Sequence, residues 1–172
     1  SACLVGSEMC IKDSNDTATY DLILADLPDP SSESVARLYS TWFFGMAKAR
    51  LAPDGVFATQ ATSPFHTRKT FWCINATLGA IGFEHIRPYK VMVPSFGVWG
   101  FIMAGGTGAK PGLRTDVPRQ FLELEALPSM FYFPPDLREP ANLNLRPNRL
   151  DRPVLLDYFL DEWSDWQREK TF

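Results

Sequence analysis

The stretch that decides the fold is Tyr20-Asp21-Leu22-Ile23-Leu24-Ala25-Asp26-Leu27-Pro28-Asp29-Pro30. Its first eight residues form a short apolar run with the Asp26 carboxylate near its end, bounded by the polar segment 13–19 and by Pro28. A run of that length and composition predicts a buried strand of a parallel sheet. Asp29-Pro30-Ser31-Ser32 then supplies turn and helix-start chemistry, with Ser31 or Ser32 as N-cap and Glu33 in the first turn.

Outward from this stretch the same logic repeats. Val35, Leu38, Tyr39, Trp42 and Met46 recur at helical spacing and predict one helix from Val35 to Leu51. Pro53-Asp54-Gly55 predicts a turn, followed by a strand from Val56 to Gln60. A second helix is expected from Thr67 to Ile81, stopped at Gly82. Strands are expected from Phe83 to Val93 and from Val98 to Ala104, antiparallel to each other because the link around Pro94 is too short for a crossover. The order strand, helix, strand, helix, strand, strand predicts an α/β fold with helices on the faces of a mostly parallel sheet. The closing pair resembles the antiparallel end of the class I methyltransferase-like Rossmann sheet. We expect residues 1–110 to form a partial Rossmann-like catalytic domain. Residues 111–172 are expected to form a C-terminal extension whose amphipathic helix, Val154 to Lys170, packs back on it.

Composition narrows the function classes. The 172 residues carry a net charge of −3, which argues against a nucleic-acid partner and is compatible with a cationic substrate. Cys3, Cys10 and Cys73 form no C-x-x-C pair, and His66 and His85 lie far apart, so neither a disulfide framework nor a metal site is expected. The most apolar stretch, Val91 to Gly106, is interrupted by Pro94, Ser95 and glycines, and no membrane contact is expected from it. The odd, sparse set of cysteines leads us to expect a reduced chain in the cytoplasm, and the opening on Ser1 a fragment or a processed product. Gly105-Gly106-Thr107-Gly108 lacks the ending of a phosphate loop and reads as a connector. His66 reads as a packing or exposed histidine, and Trp42, Trp72, Trp163 and Trp166 read as core or interface residues.

Asp26 and Asp29 stand where an open α/β sheet binds ligands, outside the carboxyl end of a strand. Two carboxylates suit a primary amine: one takes the ammonium proton and the other holds the amine by a charge-assisted hydrogen bond. From position alone, Asp29 serves equally well as a helix cap and Asp26 as a strand terminator.

Asp26-Leu-Pro-Asp29-Pro resembles the D-x-x-D-P signature of the spermidine and spermine synthases, and Tyr-Asp-Leu-Ile-Leu before it resembles their preceding strand. Asp54-Gly-Val-Phe-Ala-Thr-Gln60 is similar to the family's strand ending in glutamine. Pro94-Ser-Phe96-Gly97 with Trp99-Gly-Phe is similar to its P-T-Y-x-x-G loop and following strand. Phe71-Trp72-Cys73, Asn148-Arg149-Leu150 and Glu162-Trp163 look closer still to bacterial relatives in which the synthase domain follows membrane-spanning segments, so the parent is expected to be membrane-anchored.

The resemblance implies transfer of the aminopropyl group of decarboxylated S-adenosylmethionine, the co-substrate, to putrescine or a similar diamine, with no prosthetic group and no metal. It implies Asp26 as the base, Asp29 as the residue that orients the amine, and Gln60, Phe96 and Trp99 as further substrate-binding residues. Ser7, Glu8, Leu27 and Glu33 are implied on the side of the adenosyl co-substrate; a homodimer is one assembly left open. Phe96 stands where the family has tyrosine, and Ser7 where it has an aspartate. The glycine-rich turn and acidic ribose-binding residue of the family have no counterpart in this sequence, so the isolated chain is expected to be inactive. The other readings are a methyltransferase-like protein using S-adenosylmethionine and a non-catalytic homologue.

Overall fold

The computed structural model describes residues 2–4, 18–106, 114, 116–118, 122–142 and 144–169. Five strands, β1 (Ala2–Leu4), β2 (Tyr20–Ala25), β3 (Leu51–Gln60), β4 (His85–Val93) and β5 (Gly97–Gly105), form one sheet in the order β1-β2-β3-β5-β4. β1, β2 and β3 pair in parallel, whereas β5 runs antiparallel to both β3 and β4. The antiparallel strand therefore sits inside the sheet and β4 forms its edge. That position tolerates Pro88, which has no N–H to give to a second neighbour.

The β2 expectation holds for one face only. Ile23, Phe57, Ala104 and Ile86 form one cross-strand row, and its first three members are buried. Leu24, one residue along β2, is 38% exposed. Strand alternation puts Leu24 on the opposite face of the sheet.

The expected helix from Val35 to Leu51 is two pieces. Helix α1 (Glu33–Ala36) is capped by Ser32, whose hydroxyl accepts from the Val35 N–H, and it runs into a 3-10 turn, Arg37–Tyr39. Ser40 then adopts an extended conformation and its hydroxyl accepts from the Phe43 N–H, so it starts a new helix, α2 (Thr41–Ala49). A serine that caps cannot also continue the preceding helix, because capping needs non-helical φ/ψ. Helical spacing of apolar residues persists across the break, which is why periodicity missed it.

Pro53-Asp54-Gly55 lies within β3 instead of before it. The turn-like sequence survives as a register irregularity: Tyr20 pairs with Leu51, but Leu22 pairs with Val56. A Cβ on Gly55 would lie 2.9 Å from the Tyr20 carbonyl oxygen, so only glycine allows this close approach.

Helix α3 (Arg68–Ala80) covers the sheet with Phe71, Ile74 and Leu78, all buried. Gly82 ends this segment at φ 79°, the left-handed conformation expected of a C-terminal stop. The short helix α4 (Leu127–Met130) precedes a proline-rich stretch that is anchored on α3. There the Phe133 ring packs 5.6 Å from Phe71 and 5.3 Å from Trp72, and the Trp72 indole donates to the Leu137 carbonyl at 2.9 Å. Helix α5 (Leu155–Glu169) follows, and its buried Leu155 belongs to the same hydrophobic cluster as Ile23 and Phe57.

Two polar residues, the buried Asn148 and the half-buried Glu162, fasten this C-terminal part. Asn148 donates from Nδ2 to the Ala36 carbonyl at 2.7 Å, accepts from the Leu155 N–H at 3.3 Å, and donates its own N–H to Thr77 Oγ1 at 2.9 Å. Its carbonyl accepts from the Thr41 N–H at 2.8 Å, so one residue ties α1, α2, α3 and α5 together. Glu162 closes the start of α3, where Thr67 makes no side-chain cap. Its carboxylate accepts from the Lys69 N–H at 2.6 Å and from the N–H and hydroxyl of Thr70 at 3.1 and 2.9 Å. A carboxylate there satisfies N–H groups that a helix start leaves unpaired and complements the helix dipole.

Candidate active site

β2 and β3 are parallel neighbours, so the chain leaves both at the same sheet edge, and Asp26 and Gln60 emerge side by side. Asp26, Leu27, Asp29, Gln60, Phe96 and Trp99 line one cavity of about 410 Å³. Phe96 comes from the β4–β5 turn, which closes with a bond from its N–H to the Val93 carbonyl (3.1 Å) and with Gly97 at φ 79°. The Phe96 and Trp99 rings pack against each other with centroids 5.5 Å apart.

Gln60 organises this cavity. Its Nε2 donates to the Leu27 carbonyl at 2.6 Å and to the Tyr39 hydroxyl at 2.9 Å, with Asp29 Oδ1 at 3.4 Å. Its Oε1 accepts from the Thr62 N–H at 2.7 Å and from the Trp99 indole at 3.1 Å. An indole N–H and a backbone N–H only donate, so the amide can be oriented one way alone. Both ends of the buried Gln60 amide are thus committed to the protein. The Tyr39 hydroxyl accepts from Gln60 and lies 3.0 Å from the Pro28 carbonyl, to which it donates. Thr62, next along the chain from Ala61, sits at φ 66°. For a β-branched residue this is strain of about 1–3 kcal/mol. It is held there by the Gln60 bond, by a 2.7 Å bond from the Gly100 N–H to its carbonyl, and by a 2.7 Å hydroxyl contact with Thr67. A Cβ on Gly100 would meet the Phe71 ring and come within 2.8 Å of the Thr62 carbonyl oxygen, so this approach needs glycine.

The two carboxylates differ. Asp26 is exposed, and among the described residues no hydrogen bond holds it. Asp29 is half-buried, and desolvation raises its pKa, partly offset by the Gln60 hydrogen bond. Burial first, and the nearby Asp29 charge second, keep the Tyr39 phenol well above its ordinary pKa, so it remains a neutral O–H.

The spermine/spermidine synthase domain family matches residues 5–111. This chain belongs to that family. It is 38% identical over 146 residues to polyamine aminopropyltransferase 2 of Ralstonia nicotianae, an alignment covering 84% of this chain and 28% of the relative. It is 40% identical over 150 residues to polyamine aminopropyltransferase 1 of Streptomyces coelicolor, covering 86% of this chain and 28% of the relative. The chain thus spans little more than a quarter of the curated relatives it matches. A spermidine synthase solved in complex with the transition state analogue AdoDATO superposes with a TM-score of 0.48 at 19% identity, covering 86% of this chain and 46% of that one.

Against the family's signature, the structure brings Asp26, Leu27, Asp29, Gln60, Phe96 and Trp99 together. Glu33 is not among the residues lining their cavity; it is exposed in the first turn of α1 and pairs with Arg37 one helical turn on. Ser7 and Glu8 lie outside the described residues. Cys73 is buried, its thiol is pushed up to about 12 mainly by that burial, and it donates to the Arg146 carbonyl at 3.3 Å.

Three features escaped sequence reasoning. Tyr39 counted as one more apolar helix position, yet its hydroxyl supports both Gln60 and the loop that carries the aspartates. Ser63 is buried and donates to the Val98 carbonyl at 2.6 Å, tying the segment after β3 to β5. Trp163 and Trp166, read as core or interface, instead line a second cleft beside Asp29. A tyrosine hydroxyl and an indole N–H on otherwise apolar helix faces were the available signals, since such groups require partners when buried.

Proposed function

We propose that the protein containing this chain transfers the aminopropyl group of decarboxylated S-adenosylmethionine to putrescine or a close diamine. The observation that carries the reading is the convergence of Asp26 and Asp29 with the Phe96–Trp99 wall in one cavity at the carboxyl ends of β2 and β3. Relatives at 38–40% identity bear the name polyamine aminopropyltransferase, which supports it.

In this reading the ionised Asp29 carboxylate, steadied by Gln60, accepts a hydrogen bond from the substrate ammonium and fixes its direction. Asp26, whose carboxylate no hydrogen bond holds among the described residues, takes the ammonium proton. The freed lone pair forms the new C–N bond to the propyl carbon while the C–S bond breaks. Its electron pair goes to the sulfonium sulfur, which leaves as methylthioadenosine. The sulfonium is a good leaving group, so the site's task is alignment and deprotonation. The aromatic wall shelters the methylene chain from water. Gln60 acts through Asp29 and Trp99, because its own hydrogen-bonding capacity is already used. Leu27, a buried residue, lines the cavity, and Ser7 and Glu8 are assigned to the adenosyl side from the family resemblance.

Mass spectrometry of the products formed from putrescine and decarboxylated S-adenosylmethionine tests this directly. Spermidine and methylthioadenosine are expected in equal amounts. Methylated amine formed from S-adenosylmethionine, with no spermidine, would overturn it.

A further inference from the structure

Asp29, Phe96 and Trp99 line two cavities at once. The first is the cavity containing Asp26 and Gln60. The second, about 550 Å³, adds His66 and the α5 residues Phe159, Trp163 and Trp166. Both volumes fall in the range of small-molecule sites.

The second cleft has a definite chemistry. The Phe159 and Trp163 rings stack with centroids 5.8 Å apart, Trp163 and Trp166 lie 5.0 Å apart, and the His66 ring lies 4.7 Å from Trp166. The aromatic surface is therefore continuous. Among the described residues, the lining contains no Lys or Arg, and Asp29 is its one carboxylate. Apolar faces suit methylene groups, and indole faces attract ammonium ions through the ring quadrupole. The wall is also held in place, since Glu162, beside Trp163, caps α3 and Leu155 is bonded to Asn148.

We infer that this cleft is the distal half of the acceptor site: it receives the methylene chain and the second ammonium of a polyamine whose reacting amino group stands at Asp26. The inference rests on the aminopropyl-transfer reading and deepens it. It makes α5, a C-terminal element, the determinant of how long an acceptor the protein takes. Three shared residues make the two cavities one route. Asp29 stands at their junction, where a carboxylate attracts either nitrogen of the chain.

The test compares the wild-type protein containing this chain with Trp163→Ala, Trp166→Ala and Trp166→Phe. The acceptors are propylamine, propane-1,3-diamine, putrescine, pentane-1,5-diamine and spermidine. Acceptor KM in the alanine variants should rise by about tenfold more for the longest amines than for propylamine, the scale of one cation–π contact. Trp166→Phe, which keeps an aromatic face, should recover most of that loss. An equal rise for propylamine and the long amines, or no rise at all, would overturn the inference while leaving aminopropyl transfer intact. Calorimetric titration with the same amines separates the two readings. If no variant and no wild type transfers an aminopropyl group, the transfer reading fails. Diamine binding weakened by Trp166→Ala would still support the cleft as a polyamine site, and unweakened or absent binding would overturn it.

Discussion

The Trp99 indole donates its Nε1–H to the amide oxygen of Gln60, 3.1 Å away, while the nitrogen of the same amide reaches the Leu27 carbonyl at 2.6 Å. The aromatic wall from β5 and the aspartate loop after β2 are therefore joined to each other through one side chain at the end of β3. Neither can shift relative to Gln60 without breaking a hydrogen bond of its amide.

Replacing Gln60 removes that join. Gln60→Leu leaves the Thr62 N–H and the Trp99 indole without their partner, and the Leu27 carbonyl with only the Tyr39 hydroxyl at 3.3 Å. At about 1–3 kcal/mol for each buried group left unpaired, we expect an overall loss of about 3–5 kcal/mol. Urea unfolding of the protein containing this chain measures it. Tyr39→Phe removes one hydroxyl from the same network and should cost about 1 kcal/mol. A loss below that for Gln60→Leu would mean that the amide is replaceable.

Asp26→Asn should leave the co-substrate bound and collapse turnover. Asparagine keeps the shape but cannot accept the ammonium proton. With an amine pKa of about 10.4, only ~0.04% of the acceptor is free base at pH 7. The expected loss is about 10²–10⁴ in kcat. Part of it should return at high pH, where solvent deprotonates the amine. Near-normal turnover of the variant at pH 7 would show that Asp26 is not the base.

Asp29 predicts a pH dependence with opposite signs for binding and stability. Its pKa is raised, chiefly by burial. The ionised form that holds the ammonium is therefore lost at a higher pH than for an ordinary carboxylate, and acceptor KM should climb earlier on acidification. For stability, a carboxyl whose folded pKa exceeds its unfolded one contributes most below the unfolded value. That contribution disappears as pH rises through the folded pKa. Asp29→Asn should accordingly raise acceptor KM at pH 7 without lowering Tm, because it removes a half-buried charge. A marked fall in Tm together with an unchanged KM would assign Asp29 a structural role instead.

Glu162 supplies the third prediction on stability. Its carboxylate takes two backbone N–H groups at the start of α3 from a distance of more than ninety residues in sequence. Glu162→Ala should destabilise by about 2 kcal/mol, the upper range for loss of a helix cap. Because α5 carries Trp163 and Trp166, the same change should loosen the cleft and raise KM for long diamines. Thermal unfolding and acceptor kinetics read the two effects separately.

By itself, the sequence determined the alternation of strands and helices, the carboxylates at the end of β2, the glutamine at the end of β3, and the hairpin at Pro94–Gly97. These are local: an apolar run, a proline and a turn signal act over a few residues, and parallel pairing of β2 and β3 then brings Asp26 and Gln60 to one edge. Tertiary structure decided the rest. It split the expected helix at Ser40, because a capping hydroxyl overrode unbroken periodicity, and it absorbed Pro53-Asp54-Gly55 into β3 as a register irregularity. It placed Glu33 on solvent with Arg37, set Tyr39 beneath Gln60, and carried Trp163 and Trp166 to the side of Asp29. Periodicity shows which face of a helix is apolar but not what that face meets. Here the answer depended on Asn148 and Glu162, two polar residues whose partners are distant in sequence and adjacent only once the chain has folded.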